Sequence, residues 1–108
     1  DYEFDVPKKL IDLYNAKDYG NYGVNGKMPV CFIATNHTTG GNSGSPTLDA
    51  YGNLIGLNFD RQWEGTMSDI YFDSRFSRNI MVDTKYILFI IDKYADAKWL
   101  INEMKVVK

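Results

Sequence analysis

Apolar positions follow two different rhythms along the chain. Near both ends they recur every three to four residues, and in the middle they come as short runs and alternations interrupted by glycine. Leu10, Leu13 and Tyr14 share one face, which predicts a helix over residues 7–16. Val6-Pro7 opens it, with Asp5 as its cap and Pro7 in its first turn. At the other end Ile87, Ile90, Ile91 and Tyr94 form a stripe that Ala97, Leu100, Ile101 and Met104 continue after a break. Residues 83–105 therefore read as closing helices that pack on a core, capped by Asp83 or Thr84 and restarted by Asp96.

Between these helices, residues 29–82 carry the marks of strands. Val30-Cys31-Phe32-Ile33-Ala34, within Pro29–Thr35, is unbroken apolar sequence, the pattern of a strand buried on both faces. Thr47-Leu48-Asp49 and Leu54–Phe59 flank Ala50-Tyr51-Gly52-Asn53, a turn between two strands of a hairpin. Short strands are expected at Asp69–Phe72 and Asn79–Val82, separated from the hairpin by a polar loop over Asp60–Ser68. Lys17–Met28, with Gly20, Gly23 and Gly26, reads as an irregular loop whose Tyr19 and Tyr22 lie on other parts of the chain. The whole is mainly β with terminal helices, an α+β class.

Composition narrows the function more than the fold. At 108 residues the chain holds one domain at most. A formal net charge of −2 with scattered Lys and Arg offers no basic stripe for nucleic acid. The longest apolar run, Tyr86–Ile91, is far short of a membrane span; no charged start followed by an apolar stretch opens the sequence, which says nothing of a signal peptide if this is a C-terminal piece. A single cysteine, Cys31, excludes an internal disulfide. One histidine, one cysteine and dispersed acids make no metal-ligand set, and no cofactor is implied.

The chemistry concentrates in Thr39-Gly40-Gly41-Asn42-Ser43-Gly44-Ser45-Pro46. Small residues on both sides of one hydroxyl let the backbone turn tightly and approach a substrate carbonyl. Ser43 is the candidate nucleophile, and the N–H groups of Gly41 and Ser43 can face one oxyanion. The same residues also read as a plain Gly/Ser/Asn loop without chemistry. A serine nucleophile needs a base, and the only histidine, His37, sits six residues before Ser43 on the same loop, too close for an ordinary turn to join them. The base and its carboxylate partner are therefore expected in chain upstream of this sequence. Asp60, Asp69 and Asp83 are better read as loop, strand-end and cap residues than as triad acids, while Trp63 and Trp99 are expected to cover apolar surface.

The loop resembles the serine-bearing loop of chymotrypsin-like proteases, with Asn42 where the digestive enzymes have the Asp that pairs with a new amino terminus. Met28–Asn36, Thr38–Pro46 with Leu54–Arg61, and Trp63–Ile70 running into Val82–Ile91 extend the likeness. Together they resemble the C-terminal end of the bacterial dipeptidyl peptidases of serine peptidase family 46, the family of dipeptidyl peptidases 7 and 11. The resemblance implies a chymotrypsin-like double β-barrel. Residues 1–108 would then be the C-terminal portion of its peptidase domain, with part of the second barrel and the C-terminal helices. It implies a triad His and Asp on the earlier barrel, a helical insertion that holds the substrate's free amino end, and a periplasmic or cell-envelope location.

Of the site residues, the resemblance carries over Ser43 as nucleophile and the Gly41 and Ser43 amides as oxyanion donors. Arg61, eighteen residues after Ser43, falls where members that cut after Asp or Glu have an arginine in the side-chain pocket, and a guanidinium can take a carboxylate by two charge-assisted hydrogen bonds. Arg61 can instead pair with Asp60, Glu64 or Asp69 at the surface. His37, at the position that forms the pocket floor in chymotrypsin-like folds, can help hold an acidic side chain or be a satisfied loop residue.

The function so implied is the C-terminal part of a serine dipeptidyl peptidase, releasing N-terminal dipeptides with Asp or Glu second from peptides with a free amino end. As an isolated piece it is expected to be inactive and, with barrel edges uncovered, to form a homodimer or strand-exchanged oligomer. A glutamyl endopeptidase and a silent peptide-binding module are the alternatives.

Overall fold

The computed structural model describes residues 5–36, 38, 41–61 and 78–107. They form two compact units, one of residues 30–84 and one of residues 1–29 with 85–108. The expected strand at Asp69–Phe72 and Trp63 lie outside the described residues.

The unit of residues 30–84 is an antiparallel sheet of β1 (Cys31–Ala34), β2 (Pro46–Leu48), β3 (Leu54–Arg61) and β4 (Asn79–Asp83) in the order β1-β4-β3-β2. Asp49 makes the β2–β3 turn, its carboxylate accepting the N–H groups of Tyr51 and Asn53, each at 2.9 Å. Those bonds favour the ionised acid and hold its pKa below the usual carboxylate value.

Direct pairing fixes which side chains share a face. Phe32 and Asn58 both lie opposite Met81, Thr47 opposite Gly56, and Ala34 and Arg61 opposite Asn79, so these residues line one side of the sheet. Met81, at 1% exposure, is its centre, and it accepts the Thr47 hydroxyl on its sulfur at 3.0 Å. A side chain at Gly56 has no room, since a Cβ there would lie 2.7 Å from the Val82 carbonyl and 2.9 Å from the Phe32 ring.

The expectation of a buried β1 is overturned. Among the described residues β1 is an outer strand whose partner is β4, and Ile33 on its second face is 60% exposed. An unbroken apolar run states that both faces are greasy but not that both are covered. β3 continues through Asp60 and Arg61, which the sequence assigned to a loop.

The other unit begins with α1 (Lys8–Ala16). Pro7 is its N-cap, not a first-turn residue, and no side chain caps it, so Asp5 does not act as expected. Tyr14 points to solvent. The chain leaves the helix through Lys17 in the left-handed conformation, at φ 52°, the Asp18 N–H closing on the Leu13 carbonyl at 3.0 Å. The closing helical region is α2 (Thr84–Phe89), a π-helical turn over Ile90–Tyr94 and a short α3 (Lys98–Ile101). The last helix is much shorter than Asp96–Met104, and Trp99 is 63% exposed rather than covering apolar surface. Widening of the helix shows in the Ala95 N–H, which reaches back to the Ile90 carbonyl at 2.8 Å. Among the described residues no helix is long and apolar enough to cross a membrane.

Tyr19 packs edge-on against the buried Phe89 ring at 5.8 Å, which gives the Lys17–Met28 loop its anchor. Nearby, the Tyr22 hydroxyl donates to Asp92 at 2.8 Å. Its pKa is pushed up to about 12, first by burial and then by the hydrogen bond and the charge of Asp92. Below the ordinary value of 10.0 both folded and unfolded chains keep this proton, whereas between there and about 12 only the folded chain does. The unfolded state then binds fewer protons, so stability falls as pH rises through that window. An absorbance titration is expected to show Tyr22 ionising late in the wild type. In Asp92→Asn it should ionise earlier, though not at the ordinary value because burial remains; an unchanged titration would exclude the Asp92 contribution.

Candidate active site

The loop between β1 and β2 carries Ser43. The Ser45 N–H donates to the Asn42 carbonyl at 3.0 Å, closing a four-residue turn over Asn42–Ser45. Gly44 has φ 83° while Ser43 is not among the positive-φ residues, the signature of a type II turn with glycine where a side chain would be strained. Ser43 therefore occupies the second position of the turn, at its tip, and is exposed. Gly41, with φ 99°, is also exposed, and a Cβ there would meet nothing within 4 Å. Backbone conformation, not crowding, accounts for glycine there.

The peptide between Asn42 and Ser43 is held firmly. Among the described residues its carbonyl accepts the Ser45 N–H at 3.0 Å, the Ser45 hydroxyl at 2.6 Å and the Asn58 side-chain amide at 3.1 Å. Among the described residues there is no cis peptide bond, and in a trans peptide N–H and C=O point in opposite directions. Pinning the carbonyl towards Ser45 and Asn58 thus turns the Ser43 N–H the other way. That orientation allows it to donate to a substrate oxygen beside the Ser43 hydroxyl.

Asn58 also pairs its backbone with the loop. Its carbonyl accepts the Gly44 N–H at 2.6 Å, and its N–H donates to the Ser45 carbonyl at 2.9 Å. The turn is consequently fastened to the middle of β3.

Arg61 ends β3, and its guanidinium donates to the Thr38 carbonyl at 3.2 Å. Thr38 belongs to the same loop as Ser43, and its hydroxyl donates to the Asn79 side chain at 2.5 Å. The pairing register explains how Arg61 comes to face this loop. Asn58 lies opposite Met81 but Asp60 lies opposite Ile80, so β3 spends one extra residue between them. Without that bulge, period-two alternation would put Arg61 on the side opposite Asn58; with it, Arg61 shares a face with Asn58 and Asn79. Asp60 accepts the Arg61 backbone N–H at 2.8 Å. His37, Glu64 and Asp69 lie outside the described residues.

Sequence reasoning passed over Asn58, Thr38 and Asn79. Asn58 and Asn79 were legible in part, as polar residues at buried-face positions of apolar strands. Nothing in the sequence, however, says what their amides touch.

A turn built to expose one serine, with its amide aimed outward and an arginine tied to the same loop, fits a serine peptidase, and comparison with known proteins agrees. The Peptidase S46 family model matches residues 1–106, and the chain belongs to that family. Within it, the chain is 78% identical over 107 residues to the Asp/Glu-specific dipeptidyl-peptidase of Flavobacterium psychrophilum, covering 99% of this chain and 15% of that enzyme. It is 54% identical over 107 residues to dipeptidyl-peptidase 7 of Phocaeicola vulgatus, covering 98% of this chain and 15% of the relative. The crystal structure of Porphyromonas endodontalis DPP11 in complex with the dipeptide Arg-Asp superposes with a TM-score of 0.92 at 53% identity, over 97% of this chain and 15% of that one. The chain thus spans about 15% of the length of the relatives it matches.

Proposed function

We propose that this chain is the nucleophile-bearing part of a dipeptidyl peptidase that releases N-terminal dipeptides ending in Asp or Glu. Its sheet would be part of the second barrel of a chymotrypsin-like fold. Ser43 Oγ attacks the carbonyl carbon of the second residue, giving its proton to a base supplied by chain beyond this sequence. The Ser43 and Gly41 N–H groups stabilise the resulting oxyanion. On collapse the base returns that proton to the leaving nitrogen, which departs with the remaining peptide as an amine and leaves an ester on Ser43; water hydrolyses the ester to free the dipeptide. Arg61 receives the acidic side chain.

The observation that carries this reading is the hydrogen bond from Arg61 to Thr38, which ties a cation to the loop of the candidate nucleophile. The names of the relatives at 78% and 69% identity, both Asp/Glu-specific dipeptidyl-peptidases, support the acidic preference. By family resemblance we place the enzyme in the periplasm or cell envelope, where fractionation of cells would find it.

The test is a panel of chromogenic peptides offered to the whole enzyme that carries this chain. Peptides with a free amino end and Asp or Glu second should turn over, and amino-blocked ones should not; cleavage of blocked peptides would point to an endopeptidase. The isolated chain should show no turnover above background. It should also elute ahead of a monomer on size exclusion, since β1 and β2, the outer strands among the described residues, carry the exposed apolar residues Ile33 and Leu48.

A further inference from the structure

We infer that Asn58 is a positioning residue for the oxyanion site, its side-chain amide locking the Asn42–Ser43 peptide so that the Ser43 N–H faces the reacting carbonyl. The inference rests on the reading of Ser43 as nucleophile and adds to it a residue from a different element.

Asn58 is 5% exposed in the middle of β3. Its Nδ2 donates to the Asn42 carbonyl, while its Oδ1 is buried without a hydrogen-bond partner among the described residues. A buried acceptor without a donor costs about 1–3 kcal/mol relative to a paired one, and a leucine of similar volume beside Met81 would avoid that cost. Stability therefore does not explain an asparagine here, and the other end of its amide does.

The Asn42 carbonyl has two further donors, the N–H and hydroxyl of Ser45. Both belong to the turn itself. Among the described residues, the Asn58 side chain ties this carbonyl to the sheet. Rotation of the Asn42–Ser43 peptide would break the Nδ2 bond together with the two bonds from Ser45 and swing the Ser43 N–H away from an oxyanion, and the Nδ2 bond is the one of these that resists it from outside the turn. The backbone bonds of Asn58 to Gly44 and Ser45 keep the turn docked whatever its side chain is, so the side chain's contribution can be isolated by substitution.

The experiment uses the whole enzyme with Asn58→Leu, Asn58→Asp and Ser43→Ala measured side by side. Asn58→Leu is expected to lower kcat by about tenfold to a hundredfold, less than loss of a direct oxyanion donor, with KM for a dipeptidyl substrate changed by less than about threefold. Affinity for a peptide boronate, whose tetrahedral adduct uses the oxyanion donors, should weaken by the same factor as kcat. Asn58→Asp, nearly isosteric, has no donor when ionised but regains one when its buried carboxyl is protonated. The ratio of its kcat to that of the wild type should therefore rise as pH falls.

Should Asn58→Leu keep kcat within about threefold, or lose kcat and substrate affinity in parallel, the inference is overturned. If Asn58→Leu does not fold, a flat kcat ratio for Asn58→Asp across pH overturns it equally. Dead Ser43→Ala with an unaffected Asn58→Leu removes this inference alone; an active Ser43→Ala removes the nucleophile reading and this inference with it.

Discussion

Ser43→Ala in the whole enzyme is expected to lower kcat by on the order of 10⁵- to 10⁶-fold, the size of loss when a serine nucleophile is removed from an acyl-transfer site. The turn itself should survive. Ser43 is exposed, and the bonds that shape the turn come from the Ser45 and Gly44 backbone, the Ser45 hydroxyl and the Asn58 amide. Thermal unfolding should accordingly match the wild type, and KM should change far less than kcat. Steady-state kinetics together with a mechanism-based serine reagent check this, since the variant should neither turn over nor become labelled. Turnover within tenfold of the wild type would mean that the hydroxyl at the turn's tip does not attack.

Arg61→Ala should separate substrates rather than silence the enzyme. Truncating one partner of a desolvated, hydrogen-bonded charge pair costs about 2–5 kcal/mol. The kcat/KM for dipeptides ending in Asp or Glu should therefore fall by about 10²- to 10³-fold. A substrate with a neutral side chain at that position should lose less than about tenfold, the residual effect coming from the Thr38 carbonyl left without its guanidinium. Arg61→Lys should fall between, because an ammonium keeps the charge but loses the planar pair of donors. Equal losses on acidic and neutral substrates would assign Arg61 to loop support alone. Unchanged kinetics would favour a surface ion pair, the alternative weighed from the sequence.

The two substitutions probe different kinds of information. Ser43 could be located from its neighbours because turn chemistry is local: glycine at a position needing φ near 80° acts on the residues beside it. The hairpin turn at Ala50–Asn53 was legible for the same reason, with Asp49 bonding the backbone two and four residues on. Arg61 is the opposite case. Strict alternation from Asn58 would send it to the other face, and the bulge that reverses this is visible only in the pairing of β3 with β4.

Sequence alone determined the kinds of element, helical ends around a strand-rich middle, the glycine-flanked serine turn and the family likeness, because these depend on residues near one another or on a long run of matching positions. It did not determine which apolar strand lies at the sheet's edge, which side Arg61 faces, or that the amide of Asn58 holds the peptide before Ser43. Those depend on register between strands, where one extra residue exchanges the two faces of everything after it. Tertiary structure decided them by fixing that register.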